Sequence, residues 1–256
     1  SIIGISTLFT PAYYNMMDLA KVARKIFPRA LIIAGGGVPT NMYQEIFKSS
    51  PCFDALCYGE GEKPLLGLVK ATDKKKFLES NRSWITPQKT KNKESFEFDF
   101  IKDLDEIPFY DYDLLNLNDY QRYSLLSLFP LEKERQKKGL AVMTSRGCPH
   151  HCCFCASHSV HGRIVRYHSI SRIKEDFKRL KNKYGAETMV FFDDQLMADQ
   201  PRVYKIVKIL NDQRLTTFFP SSLALYALDR KMLKALKSTG MDNLVLSVES
   251  GSNRVL

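Results

Sequence analysis

The apolar positions of the first seventy residues alternate between two periodicities. Short aliphatic runs predict three buried parallel strands, at residues 2–6, 30–34 and about 54–58. Helical segments are predicted between and after them, at residues 17–27, about 41–48 and following Gly59-Glu60-Gly61-Glu62. Repeated strand–helix units of this length imply a parallel sheet with right-handed crossover connections.

Residues 72–138 interrupt this alternation. They are charged, punctuated by proline and rich in Asn, Asp and Tyr. We expect a connector with local structure here and not a separate core. Trp84, the only tryptophan, is expected to pack within this connector and to have no direct functional role.

The strand–helix alternation resumes at Gly139. Strands are predicted at residues 140–144, 188–192, about 216–222 and 243–248. A helix predicted at residues 169–184 ends at Gly185, another covers about 202–212, and Asp229 caps a third that Gly240 closes. Four such units in a row fit half of a barrel or a doubly wound sheet.

Polar residues and cysteines follow the predicted strands of this second half. Asp193 and Asp194, Ser222 and Glu249 each come at the end of a strand, and a cysteine-rich loop follows residues 140–144. In barrels the chemistry is placed at the carboxyl ends of the strands. The shared placement predicts that these residues surround one site.

Three cysteines, Cys148, Cys152 and Cys155, fall within eight residues in a C-x-x-x-C-x-x-C pattern. Three thiolates at this spacing can hold three irons of a four-iron, four-sulfur cluster. Such clusters usually take four cysteines. A local set of three therefore leaves one iron free to bind a small molecule.

Two other interpretations of the cysteines stay open. A zinc site can recruit His150 and His151, although zinc favours paired C-x-x-C or Cys/His sets at their own spacings. A disulfide scaffold is disfavoured because the chain is long and poor in cysteine, and the thiols indicate a reducing compartment. Cys153 is off the spacing and is interpreted as a spectator. Three histidines after the loop are expected at the surface: His158, His161 and His168.

With Phe154 directly before the last cysteine, the loop resembles the signature of the radical S-adenosylmethionine (SAM) enzymes. The resemblance implies that the open iron binds the amino and carboxylate groups of SAM. It also implies that the reduced cluster cleaves SAM to a 5′-deoxyadenosyl radical. Phe154 is accordingly expected to lie at the cofactor.

Two further segments are similar to motifs of the same family. Residues 191–194 resemble its second-strand motif and residues 244–251 its fourth-strand motif. By this analogy, four residues are expected in the SAM pocket: Asp193, Asp194, Ser247 and Glu249. Helix capping is the alternative role for the two aspartates.

The N-terminal part resembles a Rossmann-like cobalamin-binding domain. Ser6-x-Leu8 is similar to the S-x-L element of that domain, and Gly35-Gly36-Gly37 to its glycine element. The resemblance implies that Ser6 lies beside the lower face of the corrin. The glycines would let the backbone pass close to the nucleotide tail. Residues 59–62 and Leu104-x-x-Ile107-Pro108 look like the same group, and a vestigial sheet that binds no corrin is the alternative.

Together these resemblances give an α/β chain with a definite order of domains. Residues 1–71 are expected to be part of a Rossmann-like cobalamin-binding domain and residues 72–138 a connector. Residues 139–256 are expected to form the first four β/α units of a radical SAM partial barrel, TIM-like in form. The D-x-H-x-x-G element of the family, whose His can ligate cobalt, is not in the sequence, so the chain is expected to be a fragment.

The expected function is radical methylation of an unactivated carbon, using the cluster, SAM and cobalamin. The substrate is expected to be a small or lipid-like molecule, and the electron donor a reductant such as flavodoxin or ferredoxin. Three alternatives stay open. They are cyclisation or oxidoreduction without methylation, RNA modification, and a non-catalytic metal-binding module. Cys52 and Cys57 do not supply the N-terminal cysteine triad of the RNA-modifying methylthiotransferases.

Composition and charge narrow the class of partner. The chain has 256 residues, 44% of them hydrophobic, and a net charge of +10. Its basic runs can attract RNA, phosphates or anionic lipid, but they lack the regular aromatic interleaving of a single-strand-binding surface. Solvated helix faces are the simpler interpretation, so nucleic acid is not expected as a partner. No membrane span or signal peptide is predicted, and the protein is expected in the cytoplasm.

Overall fold

The computed structural model describes residues 1–122, 138–221, 223–252 and 254. They divide into two units, which are described separately. The first unit contains Ser1–Lys102 and Cys148–Ile164, and the second contains Asp103–Gly147 and Val165–Leu256. All three predicted cluster cysteines therefore belong to the first unit.

The first unit is built on a four-stranded sheet in the order β1-β2-β3-β4. The first three strands are parallel and the fourth is antiparallel to its neighbour. The strands are β1 (Ile2–Ser6), β2 (Leu31–Gly35), β3 (Ala55–Cys57) and β4 (Trp84–Ile85). The register places Ser6 beside Gly35, so the predicted S-x-L and glycine elements meet at the carboxyl edge of the sheet.

Apolar clusters cover both faces of this sheet. Ile32 packs with Met16 and Ile46 from helices on one face, while its neighbour Ile33 packs with Leu68 and other residues on the opposite face. This alternation is the two-residue period of a strand buried on both sides. The helices of the unit are α1 (Tyr13–Ile26), α2 (Gly37–Ser49), α3 (Glu62–Lys70), α4 (Lys74–Ser80), α5 (Pro87–Lys91) and α7 (His158–His161), with a 3₁₀ turn at Thr10–Ala12.

Two helices begin about one turn earlier than predicted. Helix α1 begins at Tyr13 because the 3₁₀ turn with Pro11 near its start leads directly into it. Helix α2 begins at Gly37, within the glycine triplet, because Gly36 at φ +107° turns the chain into the helix. Both early turns belong to the core, since Tyr13 packs against the cluster that contains Ile32 and Val38 is part of it.

The stretch predicted as a connector contributes strand β4 and helices α4 and α5 to the first unit. Trp84 is 1% exposed and packs in a core cluster with Leu68 and Leu78. The buried Lys89 side chain holds this corner by donating to the carbonyl oxygens of Leu78, Asn81 and Trp84. Within this stretch, the described residues from Asp103 onward belong to the second unit, and residues 123–137 lie outside the described part.

The second unit carries a parallel three-stranded sheet in the order β5-β8-β9 and a short antiparallel pair, β6-β7. The strands are β5 (Gly139–Val142), β6 (Ser145–Arg146), β7 (Arg166–Tyr167), β8 (Thr188–Phe191) and β9 (Thr216–Phe218). The helices are α6 (Leu117–Arg122), α8 (Ile170–Tyr184), α9 (Gln200–Asp212) and α10 (Arg230–Lys237). Further 3₁₀ turns lie at Leu104–Glu106, Tyr112–Leu114, Leu196–Ala198 and Leu225–Ala227.

The helix limits in this unit follow local capping chemistry. The Ser169 side chain accepts a hydrogen bond from the Arg172 amide, and Asp229 does the same for Met232. Gly185 ends α8 in the left-handed conformation at φ +69°. Along α8, Ile173, Phe177 and Leu180 face the largest core cluster.

The fourth predicted strand, at residues 243–248, is not formed as a strand in the described residues. The segment makes one parallel bridge, between Leu223 and Leu246, and Leu246 and Val248 stay exposed. A strand needs a paired neighbour over several residues and cover on its apolar face, and this segment has one bridge. Ser222, predicted at the end of the third strand, lies outside the described residues.

Candidate cofactor sites

The carboxyl end of β5 is held by a buried carboxylate that follows β8. Asp193 is 5% exposed and accepts hydrogen bonds from the Thr144 amide (3.0 Å), the Thr144 hydroxyl (2.7 Å) and the Ser145 hydroxyl (2.6 Å). Burial raises the pKa of Asp193, and the bonds from Ser145 and Thr144 oppose that rise. Asp193 thereby fixes the backbone that leads into the cysteine loop.

The carbonyl group of the same residue, Thr144, is held by a buried arginine. The Thr144 carbonyl accepts from Arg202 Nη2 (3.1 Å) and from the His168 amide (3.0 Å). Arg202 also donates to the His168 carbonyl, and its guanidinium lies over the Tyr167 ring, 4.9 Å from the centroid. Burial lowers the pKa of Arg202, against the effect of the nearby Asp193.

His168 is not the surface histidine that was expected. Its side chain is 16% exposed, and its Nδ1 lies 3.1 Å from an Asp105 carboxylate oxygen. The same oxygen accepts the Ser169 amide (2.9 Å), and the Arg172 guanidinium donates to the Asp105 carbonyl (3.1 Å). The Leu104-x-x-Ile107-Pro108 segment is thus fastened to the start of α8.

Asp194 acts on the residue that directly precedes the first cluster cysteine. Its Oδ2 accepts the Gly147 amide at 2.8 Å, and Gly147 has φ +94°. Both predicted SAM-pocket aspartates therefore bond to the segment that ends β5 and enters the cysteine loop. Neither is a helix cap, since the caps of α9 and α10 are Asp199 and Asp229.

The cysteine loop is irregular and begins with a backbone bond of its own. The Cys148 amide donates to the Gly162 carbonyl (3.3 Å), and the Cys155 amide donates to the Cys152 carbonyl (3.2 Å). Cys152 is exposed, and Cys148 and Cys155 are half-buried. None of the six cysteines forms a disulfide, and none of the three predicted ligands is fully buried, so solvent or a cofactor can reach all three.

These thiols suit an iron–sulfur cluster by donor chemistry, since such clusters are held by cysteine thiolates. Among the residues that the structure describes, no three Cys, His, Asp or Glu side chains converge as a ready-made metal site. The same holds for a zinc set built with His150 and His151. Ligation would therefore have to draw the three sulfurs of an irregular, accessible loop together.

The remaining predicted SAM-pocket residues lie in exposed positions. Phe154 is 69% exposed beside Cys155. Ser247 and Glu249 are exposed and follow the single bridge at Leu246. Their roles at the cofactor stay predictions.

At the edge of the first sheet, the predicted corrin-binding elements form one turn. The Thr7 amide donates to the Gly35 carbonyl (2.9 Å), and the Thr7 carbonyl accepts the Val38 amide (3.2 Å). A Cβ on Gly36 would lie 2.6 Å from the Thr7 carbonyl oxygen, and one on Gly37 would lie 2.7 Å from that of Leu8. Both glycines are thus needed for the close approach of the chain's own carbonyl groups. Ser6 and Leu8 are exposed beside them.

The sequence reading missed Thr144, Arg202 and Asp105. Thr144 and Ser145 follow the β5 run and lie at the same edge as Asp193, so the shared strand-end position was the available signal. Arg202 and Asp105 come from distant segments, and no local pattern indicates them.

In the described part of the chain, no helix is both long and apolar enough to cross a bilayer.

Two family profiles match the chain, one in each half. The profile of the radical SAM superfamily matches residues 142–256, and that of the B12 binding domain matches residues 1–69. These matches confirm the predicted cofactors: a four-iron, four-sulfur cluster and SAM for the first domain type, and cobalamin for the second.

Relatives and solved structures agree with this assignment. An uncharacterized methyltransferase of Pyrococcus horikoshii is 30% identical over 255 residues, covering 100% of this chain and 53% of the relative. The anaerobic magnesium-protoporphyrin IX monomethyl ester cyclase of Cereibacter sphaeroides is 24% identical over 261 residues, covering 96% of this chain and 40% of the relative. The chain therefore spans about half the length of the curated relatives it matches.

A solved structure with the same fold is that of OxsB, a cobalamin-dependent S-adenosylmethionine radical enzyme, with aqua-cobalamin and S-adenosylmethionine bound. It superposes with a TM-score of 0.71 at 19% identity and covers 100% of this chain and 36% of that chain. At this identity the likeness shows the fold alone. With the two profile matches, it confirms the predicted α/β fold class.

Proposed function

We propose that this chain, which belongs to the radical SAM proteins that carry a B12-binding domain, forms the cofactor-binding part of an enzyme that methylates an unactivated carbon. The observation that carries the proposal is the C-x-x-x-C-x-x-C loop, whose cysteines form no disulfide and which follows a strand end held by Asp193 and Arg202. The B12-type sheet precedes it in the same chain.

The chain's own residues supply ligands and position. Cys148, Cys152 and Cys155 would donate three thiolates, while Asp194 orients the peptide before the first of them. Asp193 and Arg202 hold Thr144 so that the loop starts from a fixed point. When bound, the cluster and SAM supply radical chemistry and cobalamin supplies a methyl group.

The B12-type sheet would contribute the corrin site. Ser6 and the turn through Gly36 and Gly37 lie at the carboxyl edge of a parallel sheet, where ligands of such folds bind. We propose residues 1–71 and 139–256 as the two functional domains.

The proposal also includes a small or lipid-like substrate, a reductant of the flavodoxin or ferredoxin type, and a cytoplasmic location.

The test is reductive SAM cleavage by the full-length parent protein. Cys148→Ala is expected to abolish 5′-deoxyadenosine formation, because three thiolates are needed to hold the cluster. Cys153→Ala is the matched control, since Cys153 is exposed, adjacent to the triplet and off its spacing. Wild-type deoxyadenosine production by Cys148→Ala would overturn the assignment.

A second candidate, radical cyclisation without methylation, is favoured by the likeness to the Cereibacter sphaeroides cyclase. The two functions differ in their products. A methylating enzyme forms S-adenosylhomocysteine in addition to 5′-deoxyadenosine, whereas a cyclase forms deoxyadenosine alone. Product analysis with candidate substrates therefore distinguishes them.

A further inference from the structure

We propose that three aromatic rings of the first unit, Tyr58, Phe98 and Phe100 (the aromatic stack), position the loop that presents Cys148 to the cluster. The inference rests on the proposed function, because it assigns the stack a task at the same cysteine loop. These are positioning residues, since they act through the backbone and contact neither cofactor nor substrate in the proposal.

The stack is a continuous column of parallel rings. The ring centroids of Tyr58 and Phe98 are 4.7 Å apart at an interplanar angle of 9°, and those of Phe98 and Phe100 are 4.8 Å apart at 13°. Phe98 and Phe100 are two residues apart in a segment that forms neither helix nor strand, and their rings stack on each other. Parallel rings at this distance attract each other beyond their burial alone.

Hydrogen bonds to backbone carbonyls tie the stack to the sheet and to α3. The Tyr58 amide donates to the Ser83 carbonyl (2.9 Å), and the Ser83 hydroxyl donates to the Glu97 carbonyl (2.9 Å). At the other end, Lys63 Nζ donates to the Phe100 carbonyl (2.9 Å). The column therefore has a fixed base beside β3.

Phe98 and Phe100 each pack against a backbone position that only glycine can occupy. A Cβ on Gly59 would lie 2.6 Å from Phe98 Cδ1, and a Cβ on Gly162 would lie 2.8 Å from Phe100 Cε2. Both glycines have positive φ, +80° and +76°, which L side chains rarely adopt. The Phe100 ring thus lies directly against the backbone that ends α7.

Gly162 connects the stack to the first cluster ligand. Its carbonyl accepts the Cys148 amide at 3.3 Å, and its own amide donates to the His158 carbonyl at 3.1 Å. The path of contacts runs from Phe100 to Gly162 and then to Cys148. A shift of the Phe100 ring would therefore move the peptide that carries the first thiolate.

Val160 gives the loop a second point of attachment in the same unit. It is buried, and its carbonyl lies 3.4 Å from the Cβ position of Gly59. Its Cγ2 lies 3.8 Å from the Cβ position of Gly37, in the turn proposed for corrin binding. The segment after the cysteines is thus held by the aromatic stack and by that turn.

Packing alone does not account for the stack. Phe98 is 37% exposed, so about a third of its surface is in solvent and contributes no burial to a hydrophobic core. Phe96, from the same alternating segment, instead packs with Tyr43 and Tyr58 against the core of the sheet. Phe96 therefore serves as the matched control: its ring contacts Tyr58 at the base of the stack, but its described ring contacts include neither Phe100 nor the cysteine loop.

The experiment compares Phe100→Leu, Phe100→Tyr and Phe96→Leu in the full-length parent protein. After anaerobic reconstitution we expect Phe100→Leu to retain about 10-fold less cluster on dilution, the range for groups that orient metal ligands. The electron paramagnetic resonance signal of its residual reduced cluster should also change. Phe100→Tyr should restore both wild-type readouts, and Phe96→Leu should keep them even if its Tm falls.

A second readout needs no cofactor. In the apo protein, hydrogen exchange of residues 148–162 should be faster in Phe100→Leu than in wild type and Phe96→Leu, because the Cys148 amide loses its fixed acceptor. Unchanged exchange together with unchanged cluster retention and spectrum in a folded Phe100→Leu protein would overturn the proposal. If wild type takes up no cluster, the proposed function fails, while the exchange comparison still decides the positioning role.

Discussion

Thr144 takes part in hydrogen bonds through its amide, its hydroxyl and its carbonyl group. Asp193 accepts the first two, while Arg202 and His168 donate to the third. A buried polar group that loses its partner bears the full cost of desolvation. The contributions of Asp193 and Arg202 to stability are therefore coupled through Thr144. Removing either side chain leaves a buried polar group of Thr144 with one partner fewer.

Asp193→Ala should lower the free energy of unfolding by at least about 1–3 kcal/mol, the cost of one unsatisfied buried donor. The Thr144 amide and two hydroxyl groups lose their acceptor in this variant. Urea unfolding of the apo protein measures the loss. Asp212→Ala is the control: its pair with Lys208 is exposed, so it should change stability by less than about 1 kcal/mol. Equal stability of both variants would contradict the structural role of Asp193.

The pair of His168 and Asp105 should make stability depend on pH. Burial holds the pKa of His168 below its usual value, against the opposing effect of Asp105. Burial tends to raise the pKa of Asp105, but hydrogen bonds from Ser169 and His168 outweigh it, so that pKa lies below its usual value. The folded state thus binds protons less readily than the unfolded state at both groups.

Stability should accordingly fall as pH drops below about 6.5 through His168, and further below about 4 through Asp105. His168→Asn should reduce the loss of stability between pH 7.5 and 5.5 relative to wild type, because the depressed pKa of the buried histidine is then absent. Urea unfolding at the two pH values checks this. An identical pH dependence in wild type and His168→Asn would show that the buried histidine does not titrate as argued.

At the scale of elements, the turns at strand ends carry the strictest conformational demands. The turn between β2 and α2 needs Gly36 at φ +107°, packed against the Thr7 carbonyl. The same turn is the proposed site of the corrin tail. Its geometry should therefore affect both folding and corrin binding.

Gly36→Ala should destabilise the apo protein by about 1–3 kcal/mol, because a non-glycine residue there is strained and its Cβ meets a carbonyl oxygen. Corrin affinity, measured by absorption titration of the folded fraction, should fall as well. Gly61→Ala is the control, since nothing lies within 4 Å of its Cβ position. Wild-type stability and corrin binding in Gly36→Ala would refute the role assigned to this turn.

The elements also show which features a sequence can predict. Ser169, Gly185 and Asp229 mark helix limits through bonds to residues a few positions away, so local spacing was sufficient. The pairing of Trp84 with Cys57 and the hydrogen bond from the Thr144 hydroxyl to Asp193 join distant segments, so no local spacing in the sequence indicates either of them. The cysteine spacing predicted the donor set, but the contact of Phe100 with Gly162 needed the fold.

At the scale of the whole molecule, the chain passes from the second unit to the first at Cys148 and returns after Ile164. The cysteine loop is thus an insertion between β6 and β7, and it groups with the B12-type sheet. Residues that the two family profiles match separately, such as Gly37 and Val160, therefore lie near each other within one unit. This arrangement is what one chain that serves both a cluster and a corrin requires.

The most direct measurement is the cofactor content of the full-length parent protein. It would be reconstituted anaerobically with iron, sulfide and hydroxocobalamin, desalted, and assayed for bound iron and corrin. We predict about four irons and about one corrin per chain, as one four-iron cluster and one corrin site require. Iron without corrin would contradict the corrin site at Ser6 and Gly36, and corrin without iron would contradict the cluster assignment of Cys148, Cys152 and Cys155.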